Sequence, residues 1–322
     1  MPDHSDVHAG IPGGTVSVTL QQSCTLEAAI PKSAGAPGGG VAKEFVHLRD
    51  ESAVLVSDWV RRGPVEFTCA VRWPAAVAGH RPDPVLAAQT VRQCGLAISH
   101  AEFNVPLDYQ SLFRVLDLSI APTLSPYPAQ RNGPLQLTVD VRSSPPGMRG
   151  ERITGSGFME FTVRQGDHTV VRAESRQAWI SPGVYRRLRG EHFVVDWGAW
   201  ELPPPLEPAA VGCVAPAEVL LAAGDRPGRW RLRCDSANTA QFDHPVDHVP
   251  GLTLLAAAHQ AARVATGAGG ALVVTEVTTS YQRYVEFDAP CLLEAAVLPG
   301  RVEVTGLQHG RTAFRVGLTP AG

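Results

Sequence analysis

The stretch FDHPVDHVPGLTLLAAAHQAARVAT, from Phe242 to Thr266, decides how this chain folds. Pro250 and Gly251 open a run that is apolar on nearly every side, which marks a buried helix rather than an amphipathic one. Gly267 follows as a stop signal, so the pattern predicts a helix over Pro250–Thr266. Four ionisable residues (Asp243, His244, Asp247 and His248) crowd just before it, more than a simple connection needs. A second stretch, DPVLAAQTVRQCGLAISH, has the same character from Asp83 to His100. There Asp83 is a candidate N-cap, and Pro84 sits at the first helical position, where its missing N–H costs nothing. The predicted helix is Pro84–His100.

Working outward from these helices, the chain repeats itself. Val54-Leu55-Val56 aligns with Val219-Leu220-Leu221 at an offset of 165 residues, and Gln93 with Gln260 at 167. RQGDHTVVRA aligns with LQHGRTAFRV, Thr169 against Thr312, at 143, so the first half holds about 24 extra residues, expected around SSPPGMRGERITG. Each half reads as β-rich runs, a Pro-initiated buried helix, then alternating strands with one wet face, among them LQLTVDVRSS and GFMEFTVRQG. An antiparallel sheet wrapped around one buried helix, occurring twice, is an α+β double hotdog. Its two copies form a pseudo-dimer about an internal near-two-fold axis.

The punctuation fits this division. Residues 1–43, with GIPGG and AGAPGGG, read as a flexible N-terminal arm in which VSVTL could be a short docking strand. ELPPPLEP near Glu201 reads as a stiff linker. Residues 44–200 are then the first hotdog domain and 201–322 the second. With 322 residues, 44% of them hydrophobic, the chain can bury a large core, and a net charge of −3 offers no footprint for nucleic acid. No run of about eighteen apolar residues suggests a membrane span, and no signal-peptide core opens the chain. Six scattered cysteines lack the spacing of a zinc site and read as reduced, which points to a cytoplasmic protein without a metal or cofactor.

The two helix stretches, together with TEVTTSYQRYVEFDAP and VYRRLRG, resemble the A-factor biosynthesis family from about Phe45 to Val316. The resemblance implies a doubled, dehydratase-type hotdog. It also implies transfer of a β-ketoacyl chain from an acyl carrier protein or acyl-CoA thioester to the hydroxyl of dihydroxyacetone phosphate, leading to γ-butyrolactone signals of actinomycetes. The family's pattern has a Glu in each helix. Here those positions are Gln89 and Ala256, and the family's second arginine is His259, while Arg92 is retained.

These departures set the chemistry. A carboxylate can take a proton from a hydroxyl, whereas Gln and Ala cannot. Gln89 can still orient a carbonyl or hydroxyl by hydrogen bonding. His259 titrates near neutrality where an arginine does not, although a lone histidine in a buried helix is as readily structural. The expected catalytic residues are His244, His259 and Gln89. The expected substrate-binding residues are Asp247, His248, Gly251, Arg92, Arg283 and His80, the last because GHRP resembles the GHFP loop of hotdog dehydratases. Gln93 and Gln260 are expected to satisfy backbone groups. The pocket is expected where the second helix begins, its free N–H groups polarising a thioester that approaches over Gly251.

Three function classes remain: a β-ketoacyl transferase, a diverged dehydratase, isomerase or cyclase acting on a polyketide-like substrate, and a non-catalytic acyl or signal-binding module. The partners expected are a small-molecule substrate and its thioester carrier, with homo-oligomerisation open.

Overall fold

The computed structural model describes residues 41–74, 82–124, 133–149, 152–153 and 156–322. The expected arm therefore lies outside the described residues up to 40, as does VSVTL. Its last residues belong to the body: Val41 is buried and a 3₁₀ turn spans Lys43–Val46.

Alternation builds the sheet. Leu135–Ser143 alternates buried and exposed at every residue, one face on the core and the other in water. The first half contributes β1 (Val56–Arg61), β2 (Glu66–Trp73), β3 (Gln110–Ile120), β4 (Leu135–Ser143), β5 (Ser156–Gln165) and β6 (His168–Ile180). The second contributes β7 (Leu221–Ala223), β8 (Arg229–Leu232), β9 (Val274–Tyr281), β10 (Leu292–Leu298), β11 (Arg301–Gln308) and β12 (Arg311–Pro320). They form one sheet in the order β1-β2-β4-β5-β6-β3-β9-β12-β11-β10-β8-β7. Read from each outer edge inward the order is identical, and the copies meet where β3 pairs antiparallel with β9, Leu118 opposite Val277. This is the double hotdog with its internal two-fold.

The helices follow the same symmetry. α1 (Pro84–Phe103) lies between β2 and β3, runs three residues beyond the expected His100, and ends on Asn104 in the left-handed region. A later helix, α3 (Gly251–Thr266), lies between β8 and β9 and ends on Gly267. Pro250 is its N-cap rather than its first residue. One hydrophobic core runs through both halves, with Ala87, Val91 and Ala97 of α1 and Leu255, Ala258 and Ala261 of α3 fully enclosed.

The repeat matches are structural equivalences. Gln93 Oε1 accepts from Leu55 N at 2.7 Å and its amide donates to Ala53 O at 2.9 Å. Gln260 does the same to Leu220 N at 2.8 Å and Glu218 O at 2.9 Å. Each buried glutamine thus pins the segment leading into the first strand of its own half. The extra residues of the first half include a small hairpin, Met148–Arg149 with Arg152–Ile153, as expected.

Between the halves, α2 (Pro182–Arg189) and residues 190–200 pack on the second half: Trp197 and Trp200 meet Phe242 and Phe287, at 4.2 Å for the stacked Trp200–Phe287 pair. The proline-rich segment is docked, not free. Leu206 N donates to Leu221 O at 2.9 Å, and Arg233 Nε donates to Pro203 O.

Candidate functional site

A cavity of about 1570 Å³ opens along the seam. α1 supplies Gln89 and Arg92, the start of β3 supplies Arg114, and the segment before α1 supplies His47. From the second half come His244 and His248, the first turn of α3, and the connection after β9 with Arg283 and Tyr284. Local rules explain the placement. A helix needs its first N–H groups near the surface or capped, and α3 has no side-chain cap because Pro250 offers none. Its N-terminus therefore meets the cavity.

The crowded loop before α3 resolves into two Asp–His pairs. His244 Nδ1 is 2.9 Å from Asp243 Oδ2, and Asp243 accepts from Arg49 N at 2.7 Å and Asp50 N at 2.8 Å. The second half thereby clamps the N-terminal segment of the first. Burial would raise the Asp243 carboxyl, but His244 and the two backbone donors outweigh it and hold it below the usual range. His248 Nδ1 is 2.8 Å from Asp247 Oδ1. An ionised carboxylate can only accept, so each imidazole donates from Nδ1, and in the neutral tautomer this selects, Nε2 is the acceptor.

Asp247 itself does not line the cavity. It is 7% exposed and sits behind His248, where Tyr185 Oη donates to its carboxylate at 2.7 Å and Arg189 Nε at 2.8 Å. Arg189 also forks onto Glu286 and covers the Tyr284 ring at 4.2 Å. Burial pushes the Asp247 carboxyl up, and His248, Tyr185 and Arg189 together bring it down.

On the other wall His47 Nε2 lies 2.8 Å from His100 Nε2, and His100 Nδ1 lies 2.7 Å from Val105 O. The carbonyl can only accept, so His100 donates from Nδ1 and, neutral, accepts at Nε2. His47 then donates from Nε2 and keeps Nδ1 as an acceptor at the cavity wall. Burial first, then His100 and Arg92, lower His47 to about 3, so the ring is neutral at physiological pH. Arg92 donates to Val46 O at 3.2 Å, and burial brings it down to about 10, still a cation.

Six of the nine expected site residues line this cavity: Gln89, Arg92, His244, His248, Gly251 and Arg283. His80 lies outside the described residues. His259 is 4% exposed and off the cavity wall. Its Nε2 is buried without a hydrogen-bond partner among the described residues, and burial followed by Arg263 lowers it to about 4. His259 is the counterpart of Arg92, but its own position lies in the core. Gly251 has a further reason besides the one expected: a Cβ there would meet the Tyr281 ring at 3.2 Å, and Tyr281 Oη donates to Gly251 O at 2.9 Å. The glycine makes room for that aromatic ring. Sequence reasoning missed His47, which stands in no motif, and Tyr185 and Arg189, which lie in VYRRLRG but whose acidic partners are 58 to 97 residues away.

Gln89 and Ala256 occupy equivalent positions on α1 and α3, and both face the cavity. Neither helix presents a carboxylate to the cavity, since Glu102 at the far end of α1 pairs with Arg61, and the bases offered to a ligand are imidazoles. Among the described residues no group of three or more His, Cys, Asp or Glu is arranged to hold a metal ion, and no helix is long and apolar enough to cross a membrane.

Comparison with known proteins agrees with this architecture. A family model described as an A-factor biosynthesis hotdog domain matches residues 36–181 and 199–317. A 2-oxo-3-(phosphooxy)propyl 3-oxoalkanoate synthase of Streptomyces virginiae is 36% identical over 285 residues, 85% of this chain and 95% of that one. One of Streptomyces coelicolor is 33% identical over 287 residues, 85% and 89% of the two chains. Among solved structures, a 12:0-ACP thioesterase from Umbellularia californica superposes with a TM-score of 0.50 at 12% identity, covering 81% of this chain and 99% of its own, a likeness of fold.

Proposed function

The chain belongs to the A-factor biosynthesis hotdog family, and from that premise we propose that it transfers a 3-oxoacyl chain from an acyl thioester to the hydroxyl of a dihydroxyacetone-phosphate-type acceptor. The observation that carries this reading is the Asp243–His244 pair at the cavity wall: a base oriented by a fixed carboxylate, in a cavity to which neither helix presents a carboxylate. His244 Nε2 takes the proton as the hydroxyl oxygen attacks the thioester carbon. The C–S bond breaks, and the imidazolium returns the proton to the departing thiolate. The uncapped N–H groups of α3 stabilise the oxyanion between these steps, and Gln89 donates an amide N–H to the 3-oxo group. His248, held by Asp247, is a second imidazole on the same wall.

A carrier-borne donor is supported by α2 at the cavity rim. Its Val184 and Leu188 are 42% and 58% exposed, and Arg186 and Arg187 are exposed beside them, a basic and apolar face suited to an acidic acyl carrier protein. The five described cysteines are unpaired, in keeping with a reducing cytoplasm.

The test is direct. Incubation with a 3-oxoacyl thioester and dihydroxyacetone phosphate yields the phosphorylated ester, detected by mass spectrometry. His244→Ala lowers the rate roughly 10²-fold or more with unchanged melting temperature. A dehydrated or hydrolysed thioester, formed without ester, would instead make the chain a diverged hotdog hydrolase or dehydratase.

A further inference from the structure

Charge along the cavity is unbalanced at one end. Every acidic residue of the wall is engaged. Asp83 caps α1, Asp243 holds His244 and two backbone N–H groups, Glu286 holds Arg189, and Asp50 accepts from Ser52 N. Three lining arginines, Arg114, Arg283 and Arg311, have no carboxylate within ion-pair distance among the described residues.

Register brings the three together. Thr279 Oγ1 both accepts from Leu116 N and donates to Leu116 O, so two residues along the antiparallel pair Arg114 stands beside Tyr281. It is the extra residue at the bulge between Phe113 and Val115, which turns it off the ladder. Arg283 N donates to Ala313 O, and its guanidinium donates to Thr312 O at 2.7 Å, one residue from Arg311. Next to Arg283, the Tyr284 hydroxyl is buried with no hydrogen-bond partner among the described residues, although His248 and Arg189 pack on its ring. A buried orphan hydroxyl in a native protein asks for a partner.

We propose that this rim is a binding site for a terminal phosphate monoester, with Arg114, Arg283 and Arg311 supplying the charge and Tyr284 a hydrogen bond. A phosphate monoester carries close to two negative charges at neutral pH and several strong acceptor oxygens, and arginine forks match it. Burial pushes the Tyr284 hydroxyl up to about 12, with Arg189 and Arg114 opposing, so it remains a donor throughout the physiological range. The site deepens the transfer reading, on which it rests for the identity of the acceptor. It lies a few residues from the α3 N-terminus, so an acceptor held by its phosphate extends its hydroxyl into the seam.

Calorimetry on the full chain tests it without turnover. Dihydroxyacetone phosphate, inorganic phosphate, unphosphorylated dihydroxyacetone and a pantetheine-borne thioester donor are titrated as probes against wild type and against Arg114→Gln, Arg283→Gln, Arg311→Gln and Tyr284→Phe. Each arginine variant weakens dihydroxyacetone phosphate roughly 10-fold or more and Tyr284→Phe several-fold, while unphosphorylated dihydroxyacetone is unaffected. The arginines are exposed, so melting temperatures stay unchanged. Phosphate affinity within about two-fold of wild type in all four variants overturns the site. So does weakened binding confined to the thioester donor, because the phosphate recognised would then be the diester of its pantetheine arm. Intact phosphate binding without ester formation upholds the site and removes the transfer reading, so the two failures are separable.

Discussion

The two central helices occupy equivalent places and differ where it counts. α1 begins under its own cap, Asp83 Oδ1 accepting from Val85 N at 2.8 Å and Leu86 N at 3.0 Å, whereas α3 begins at Pro250 with no side chain to cap it. One positive helix end is spent on a carboxylate and the other is left open at the cavity. About two turns further in the roles reverse: Arg92 of α1 lines the cavity, and its counterpart His259 of α3 is sealed in the core. Gln93 and Gln260 keep the same hydrogen bonds in both halves. Positions that hold the fold together have stayed alike after duplication, and those facing the ligand have diverged.

The largest expected effect comes from the asymmetric ion pairs. Arg189 is 2% exposed and holds two partly buried carboxylates on the second half, while an ion pair within the first half, Arg61 with Glu102, is 44% and 19% exposed. Arg189→Ala leaves Asp247 and Glu286 uncompensated and should destabilise by about 3–5 kcal/mol. Arg61→Ala should change stability by about 1 kcal/mol or less. Urea denaturation measures both, and equal losses would show that the difference in burial does not set the worth of the two pairs.

Next comes the feature the halves share. Gln93→Leu and Gln260→Leu each strand a buried backbone N–H and C=O, and each should cost about 2–3 kcal/mol. The expectation is near-equality. A loss confined to one variant would mean that the equivalence of the two contacts is geometric but not energetic.

Acid sensitivity comes next, and it has a source in each half. His259, folded, titrates at about 4 against 6.5 for an ordinary histidine, so between those values the unfolded chain binds the extra proton. Stability associated with His259 is complete above about pH 6.5 and is lost as the pH falls toward 4, at up to about 1.4 kcal/mol per pH unit. His259→Gln should flatten the fall of melting temperature over that window and leave neutral stability within about 1 kcal/mol. His47, lowered to about 3, contributes a loss of the same sign that extends further into acid. An unchanged acid profile in His259→Gln would assign the sensitivity to other groups.

These contrasts also show what the sequence could reveal. Repeated short patterns were legible because core positions are constrained locally: the leucines and valines opening β1 and β7, the glutamines one helix turn past the cavity, and Asp83 before Pro84. The unusual content of the loop at Asp243–His248 was legible as a concentration of ionisable groups. The partners were not. His47 meets His100 across 53 residues and Asp243 clamps Arg49 across 194, distances at which no periodicity speaks. The contact of Gly251 with Tyr281 is equally invisible, because glycine looks the same whether it admits a substrate, a tyrosine ring or both. His259 looked like a base because helical spacing places it on the face of Ala256, and only packing shows that this face has turned into the core by that residue.

The smallest expected effect on stability bears most on function. Asp83→Ala removes a cap that satisfies two N–H groups and should cost about 1 kcal/mol. Because that helix end is not the open one, the rate of acyl transfer should stay within a few-fold of wild type. Pro250→Asp does the converse. It gives α3 the cap that α1 already has and gains up to about 1 kcal/mol, against a similar loss from a more flexible unfolded chain. The net change in stability is therefore close to zero, yet the new carboxylate occupies the N–H groups that face the seam and places negative charge where an oxyanion forms. Removing such donors from a transition state slows acyl transfer by roughly 10²-fold or more. Melting curves and single-turnover rates on the two variants give a double dissociation: stability lost with the rate kept in Asp83→Ala, and the rate lost with stability kept in Pro250→Asp. If Pro250→Asp retains wild-type turnover, the open end of α3 takes no part in the chemistry, and the difference between the two helix ends reflects only how each half closes its own core.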